Sequence, residues 1–306
     1  MEEKRKAYVA AILYACIIGF SFMFVKFTLT VASPMETLAH RFTVAFIGAL
    51  ILLRVKKIQL NITWKDALQI LPMALLYPIA FFAFQISGLA RISSSEAGII
   101  QAAIPIFTLV LASVILKEKA TRGQLVFISL SVFGVIYLFI MSGAGAEIAN
   151  LIGSVFILTS ALASALYNVF VRKLTQQYSV IIITFMMTFI GFVVFNSMAI
   201  GQHVMSGTLI EYFQPFMHMK FVLSILYLGV LSSLVTLFLS NYALSKIEAA
   251  KMSVFNNFST LITILVGVMF LKEDFYLYHL IGAIFIIVGI VGTNYFGTKE
   301  KSSEKV

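Results

Sequence analysis

The chain has 306 residues, of which 60% are hydrophobic and 11% charged, with a net charge of +9 and a mean hydropathy of +1.00. So few charges cannot cover the surface of a soluble domain of this length, which excludes a water-soluble globular fold. The one cysteine, Cys16, lies in an apolar run and excludes both an intramolecular disulfide and a cysteine-based metal site.

Runs of about 20 apolar residues, the length that crosses a bilayer as a helix, recur along the chain. A short charged segment, 1–6, leads into the first run, which is longer than a signal-peptide core and reads as a retained span. The first half is expected to span at 7–29, 35–55, 66–88, 93–116 and 121–141. The second half follows at 148–171, 179–200, 221–244, 248–271 and 275–296, with a tail at 298–306. Most connections are short, which makes neighbouring helices antiparallel. The longest, 201–220, carries Tyr212, Phe213 and Phe216 and is expected to lie along the membrane interface. After ten spans only loops are left, so no soluble domain is expected.

Basic residues set the orientation. With the N-terminus in the cytoplasm, the inner segments hold Lys4, Arg5, Lys6, Arg54, Lys56, Lys57, Lys65, Lys117, Lys119, Arg122, Arg172, Lys173, Lys246, Lys251, Lys299, Lys301 and Lys305, 17 of the 22 basic residues. The outer loops hold Arg91, Lys220 and Lys272. This bias explains the positive charge as topology rather than nucleic-acid binding and predicts cytoplasmic termini in a cell membrane.

The two halves repeat. Leu116-Lys117-Glu118 recurs as Leu271-Lys272-Glu273 at an offset of 155 residues. The same offset pairs Leu89 with Leu244, Ile92 with Ile247, Thr108 with Thr263, Leu125 with Leu280 and Gly134 with Gly289. An offset of 146 pairs Lys26 with Arg172. Five spans is an odd number, so the second copy is inverted relative to the first, as in many transporters. The expected architecture is an all-α integral membrane protein, its ten transmembrane helices forming two inverted five-helix repeats, 7–143 and 144–297.

The chain resembles the drug/metabolite transporter superfamily, specifically its EamA-type ten-helix members. The residues that carry the resemblance are Pro34 followed by Arg41-Phe42, Pro105 in the fourth span, and the doubled Leu-Lys-Glu. The second half departs from the pattern, with Thr260 where Pro105 would repeat and Met187 where Arg41 would. The resemblance implies a central cavity between helices 1–4 and 6–9, braced outside by helices 5 and 10, and alternating access in the export direction. It also implies structural or gating roles for Arg41, Pro105, Glu118 and Glu273.

A cavity for a polar solute needs polar groups near mid-membrane, where unpaired ones are costly. Gln101 and Asn256 are equivalents at the 155 offset, and Asn257 is adjacent. Two amides so related would face one shared cavity; the alternative is that they join helices. The sixth span carries Ser160, Ser164, Tyr167 and Asn168 at helical spacing, of which Tyr167 and Asn168 are the stronger candidates. The third has Tyr77-Pro78, then Phe81 and Gln85; Pro78 removes a backbone donor and kinks the span. Tyr14 shares a face of the first span with Ser21 and would complete the wall. Lys26 and Arg41 lie near enough to the outer surface to snorkel, and Ser232, Ser233 and Asn241 read as packing residues.

No Asp or Glu falls near the centre of any span, which argues against a dication substrate and for a neutral, zwitterionic or aromatic metabolite. The alternatives are a passive channel or a lipid-handling protein, though no ring of carbonyls or charges suggests a filter. An enzyme lacks support: Gly19-Phe20-Ser21 has no following glycine, and His203 and His218 fall in a loop. The expected partners are a small-molecule substrate and the lipid bilayer. No cofactor, metal, nucleic acid or ATPase subunit is implied, and a homodimer is left open.

Overall fold

The computed structural model describes residues 2–60, 62–116, 121–141, 148–272 and 276–303. Among them no strand forms. The elements are α1 (Glu2–Thr28), α2 (Pro34–Val55), α3 (Trp64–Ala74), a π-helical turn (Leu75–Ala80), α4 (Phe81–Leu89), α5 (Ser94–Gln101), α6 (Ile104–Ile115) and α7 (Arg122–Met141). There follow α8 (Ile148–Leu174), α9 (Val180–Ser206), a 3-10 segment (Leu209–Met217), α10 (Met219–Leu226), a second π-helical turn (Tyr227–Val235), α11 (Thr236–Lys246), α12 (Ala249–Leu271) and α13 (Leu277–Ser303).

Eight of the resulting rods are long and apolar enough to cross a membrane. They include Trp64–Leu89, Ser94–Ile115 and Met219–Lys246, each assembled from more than one element. In α7 and α13 the apolar stretches described, Arg122–Gly134 and Leu280–Thr293, are shorter. The molecule is thus a multi-pass helical membrane protein.

The helix starts follow local chemistry. Ser33, Thr63 and Ser93 each cap a helix, accepting a hydrogen bond from the third helical residue. Glu36, Asp66 and Glu96 return the bond to the cap's own N–H, completing a capping box. Glu36 and Glu96 are therefore cap residues, which accounts for carboxylates at the edge of the apolar runs. Ser179 caps α9 through Ile182 N–H. That helix runs on to Ser206 and stops where Gly207 adopts φ +68°, a left-handed conformation that favours glycine. His203 therefore sits in the last helical turn rather than in a loop. The expected tail 1–6 is likewise mostly helical, since nothing breaks α1 before Glu2.

The 3-10 segment is two-faced. Tyr212 and Pro215 are buried, while Ile210 is 98% exposed and Met217 83% exposed. Apolar side chains this open fit a segment lying at the membrane interface.

Helices of the two halves interleave. α1 packs on α11 and α12, α2 on α9, α4 and α6 on α8, and α7 on α13. Two basic side chains each fasten a helix corner: Lys26 Nζ donates to Ile92 O at 2.5 Å, and Arg172 Nη1 donates to Leu244 O at 2.5 Å. Both use the long stem to reach a carbonyl that has no further helical turn to pair it.

Close approach depends on small residues. A Cβ at Gly88 would lie 2.6 Å from Ile157 and 2.9 Å from the Gly153 carbonyl oxygen, so α4 and α8 touch backbone to backbone there. Gly201 has nothing within 4 Å. Gly88→Leu is expected to destabilise the purified protein by about 3 kcal/mol, in the range for overpacked sites, and Gly201→Leu by less than about 0.5 kcal/mol. Thermal unfolding in detergent checks this; equal melting temperatures for the two variants would refute the packing account.

Candidate functional site

Three spans are interrupted near their middles, and each interruption frees a carbonyl. In the third span Pro78 has no N–H, and Tyr77 takes extended backbone angles, φ −145° and ψ 115°. Phe81 N–H then bonds back to Leu76 O, one residue further than in an α-helix, which leaves Tyr77 O out of the ladder. In the eighth span Thr236 N–H likewise bonds to Leu231 O, which frees Ser232 O. In the fourth span α5 ends at Gln101 and α6 begins at Ile104, because Pro105 lacks the N–H that would bond Gln101 O. The ninth span, with Thr260 in place of proline, is continuous from Ala249 to Leu271.

The carbonyl freed at Ser232 meets a hydroxyl and a charged side chain. Ser232 O accepts from Thr236 Oγ1 at 2.6 Å and from Arg41 Nη2 at 3.2 Å. Arg41 also donates to Ser232 Oγ at 3.0 Å and, through Nε, to Ser233 Oγ at 2.6 Å. Its guanidinium lies over the Phe82 ring, 4.1 Å from the centroid. Arg41 is 1% exposed. The expected snorkelling does not occur: the widened turn of the eighth span supplies a nearer set of acceptors than the membrane surface. Ser232 and Ser233 serve as partners of a charge rather than as a packing seam.

Around this charge stands a group of tyrosines. Tyr77 stacks on Tyr167 with ring centroids 4.8 Å apart and contacts Phe82 at 5.1 Å. Tyr167 donates its hydroxyl to Asn241 Oδ1, whose amide donates to Thr184 Oγ1 at 3.2 Å. Tyr14 donates to Asn256 Oδ1 at 3.1 Å, and Tyr227 donates to Ile17 O at 2.9 Å. Tyr14, Tyr77 and Tyr167 belong to one contiguous buried core. Helices from both halves thus bring Tyr14, Arg41, Tyr77, Tyr167 and Asn256 to one buried cluster. Phe82, Asn241, Tyr227 and Met187, which also accepts from Tyr167, were not among the expected site residues. The twofold widening of spans three and eight has no sequence signal in the eighth, which contains no proline.

The remaining candidates divide. Gln101 donates to Ser160 Oγ on α8 at 3.2 Å. Asn257 is fully buried and donates to Ser131 on α7, so it is turned away from Asn256 and from the tyrosines. Adjacent helical residues point about 100° apart, and only one of the two amides can face the cluster. Gln85 and Asn168 are buried, and neither side chain has a hydrogen bond among the described residues. Glu118 and Glu273 lie outside the described residues. Among the described residues no group of His, Cys, Asp and Glu could hold a metal ion.

A second polar group joins the start of α2 to the end of α9. His203 bonds Glu36 Oε1 at 3.0 Å and Thr208 O at 2.9 Å, and His40 bonds Tyr212 O at 2.9 Å. Tyr212 donates to Asn196 Oδ1 at 2.7 Å; burial, then the Glu36 charge, push its phenol up to about 12.

The chain matches the model of the EamA-like transporter family over residues 5–140 and again over 151–295. It is 54% identical to "Uncharacterized transporter YcxC" of Bacillus subtilis (strain 168), over 96% of this chain and 94% of that one. It is 24% identical to "Probable amino-acid metabolite efflux pump" of Escherichia coli (strain K12), over 99% of each. A solved crystal structure shares the fold with a TM-score of 0.73 at 12% identity, covering 96% of this chain and 98% of that chain. Matched once in each half, the chain belongs to the EamA-like transporter family.

Proposed function

We propose that this transporter exports a small neutral, zwitterionic or aromatic metabolite, amino-acid-like in character, by alternating access through the tyrosine-lined centre. The observation that carries the reading is the buried cluster of Tyr14, Tyr77, Tyr167 and Asn256, drawn from four spans and two halves beside an interrupted helix. Polar groups at interrupted helices are the usual form of a mid-membrane binding site. The Escherichia coli relative is called a probable amino-acid metabolite efflux pump, which supports the substrate class.

In this reading the chain crosses the membrane ten times as two inverted repeats, 7–143 and 144–297. Several pairings support it. Lys26 and Arg172, 146 apart, each tether the end of a span to a carbonyl of a neighbouring corner, Ile92 O and Leu244 O. The bonds Tyr14 to Asn256 and Gln101 to Ser160 are equivalents too, since Tyr14 and Ser160 differ by 146 and Gln101 and Asn256 by 155. A carbonyl is freed at both Tyr77 and Ser232, again 155 apart. Such pairing across halves is what alternating access needs, because each half must reproduce the other's contacts when the gate changes sides. The termini are assigned to the cytoplasm and the protein to the cell membrane.

In a Cys16→Ser background, Ser206→Cys is expected to react with a membrane-impermeant maleimide in intact cells. Lys65→Cys is expected to react only after permeabilisation. The reverse pattern would sink the orientation. Counterflow in proteoliposomes against amino acids, purines and related metabolites tests the carrier reading. Saturable exchange is expected, and linear, non-saturable flux would indicate a channel. Gln101→Ala and Asn256→Ala are each expected to lower the exchange rate about tenfold, the effect of about 1.4 kcal/mol for one lost interhelical bond, with folded yield unchanged. Wild-type rates in both would remove these residues from the site.

A further inference from the structure

A charge buried in a membrane protein is ordinarily paired, because an unpaired one in a medium of low dielectric is costly. Arg41 is the exception that stands at the centre of this fold. Among the described residues no carboxylate touches it; its partners are two serine hydroxyls, one backbone carbonyl and the face of Phe82. These hold Nε and Nη2 and fix the guanidinium plane. Nη1 makes no hydrogen bond among the described residues. Tyr77, whose ring packs against Phe82, is 6% exposed, and its hydroxyl also has no hydrogen-bond partner among them. The two groups share one neighbour: the Phe82 ring lies 4.1 Å from the guanidinium and 5.1 Å from the Tyr77 ring, measured to centroids. A fixed positive charge with one free donor edge thus stands beside a second free donor, with stacked rings alongside.

We propose that Arg41 and Tyr77 form the carboxylate subsite of this transporter, and that its substrates are monocarboxylates bearing an apolar or aromatic body, including zwitterionic amino acids. One carboxylate oxygen accepts from Arg41 Nη1 and the other from the Tyr77 hydroxyl. A guanidinium suits this task because its charge is permanent and its donors lie in one plane. One cation matches one anion, so a dicarboxylate leaves a negative charge unpaired and a simple amine meets repulsion. The stack of Tyr77 on Tyr167 offers a face to an aromatic body. The subsite rests on the transport reading for its purpose, but its existence can be tested without transport.

The full-length protein is purified in detergent and its melting temperature followed against paired probes: phenylacetate with phenylacetamide, and L-phenylalanine with L-phenylalaninamide. Each acid is expected to stabilise the wild type with a half-saturating concentration at least tenfold below that of its amide. The gap closes in Arg41→Gln and narrows several-fold in Tyr77→Phe, which removes only a hydroxyl without a partner and keeps the test open should Arg41→Gln not fold. Equal responses to acid and amide, no stabilisation by either acid, or a gap unchanged in the variants would overturn the subsite. Counterflow with the same probes separates the two readings. Acid-selective binding without saturable exchange leaves the subsite standing and sinks the transport mechanism. Saturable exchange with no acid preference does the opposite.

Discussion

Hydrocarbon donates no hydrogen bonds, so every interruption of a membrane helix must be satisfied by protein. This constraint organises the centre of the molecule. Spans three, four and eight each lose one turn of regular bonding, at Tyr77, Gln101 and Ser232. At Ser232 the freed carbonyl is satisfied by Thr236 and by Arg41. α2, which carries Arg41, packs against the eighth span accordingly. Without that interruption Arg41 would lose its carbonyl partner and keep only the Ser232 and Ser233 hydroxyls and the Phe82 face.

Arg41 is also where the two halves differ most. Its counterpart Met187 is apolar and meets Tyr167 through sulfur. Pro105 has Thr260 as its counterpart, so the fourth span breaks while the ninth runs through. Thr260 instead donates to Gly98 O at 2.8 Å, tying the continuous helix to the broken one. A scaffold built from equivalent contacts thus encloses a centre that is chemically one-sided.

Parts of this were readable from residue order. Apolar run lengths report helices because a bilayer has a fixed thickness. Ser33-x-x-Glu36, Thr63-x-x-Asp66 and Ser93-x-x-Glu96 are capping-box spacings that mark three helix starts and explain their carboxylates. The kink at Pro78 and the break at Pro105 follow from a missing N–H. The widening of the eighth span was not readable, since Ser232 and Ser233 resemble any small polar pair at a helix seam. The end of α9 lay six residues beyond the hydropathy boundary because amphipathic turns carry helices out of the hydrocarbon until a residue such as Gly207 stops them.

The order of residues alone establishes a polytopic helical protein, its doubled plan and the residue types available at mid-membrane, because periodicity, length and charge bias are local properties. Which polar groups meet is a different matter. Asn256 and Asn257 are neighbours in the chain, yet one bonds Tyr14 and the other Ser131, on different faces of α12. Arg41 could have reached for the membrane surface, and instead turns to a carbonyl 191 residues away. Only the packing of helices distant in sequence decides such choices, since a side chain's partner depends on which carbonyl is free and which surface is already covered.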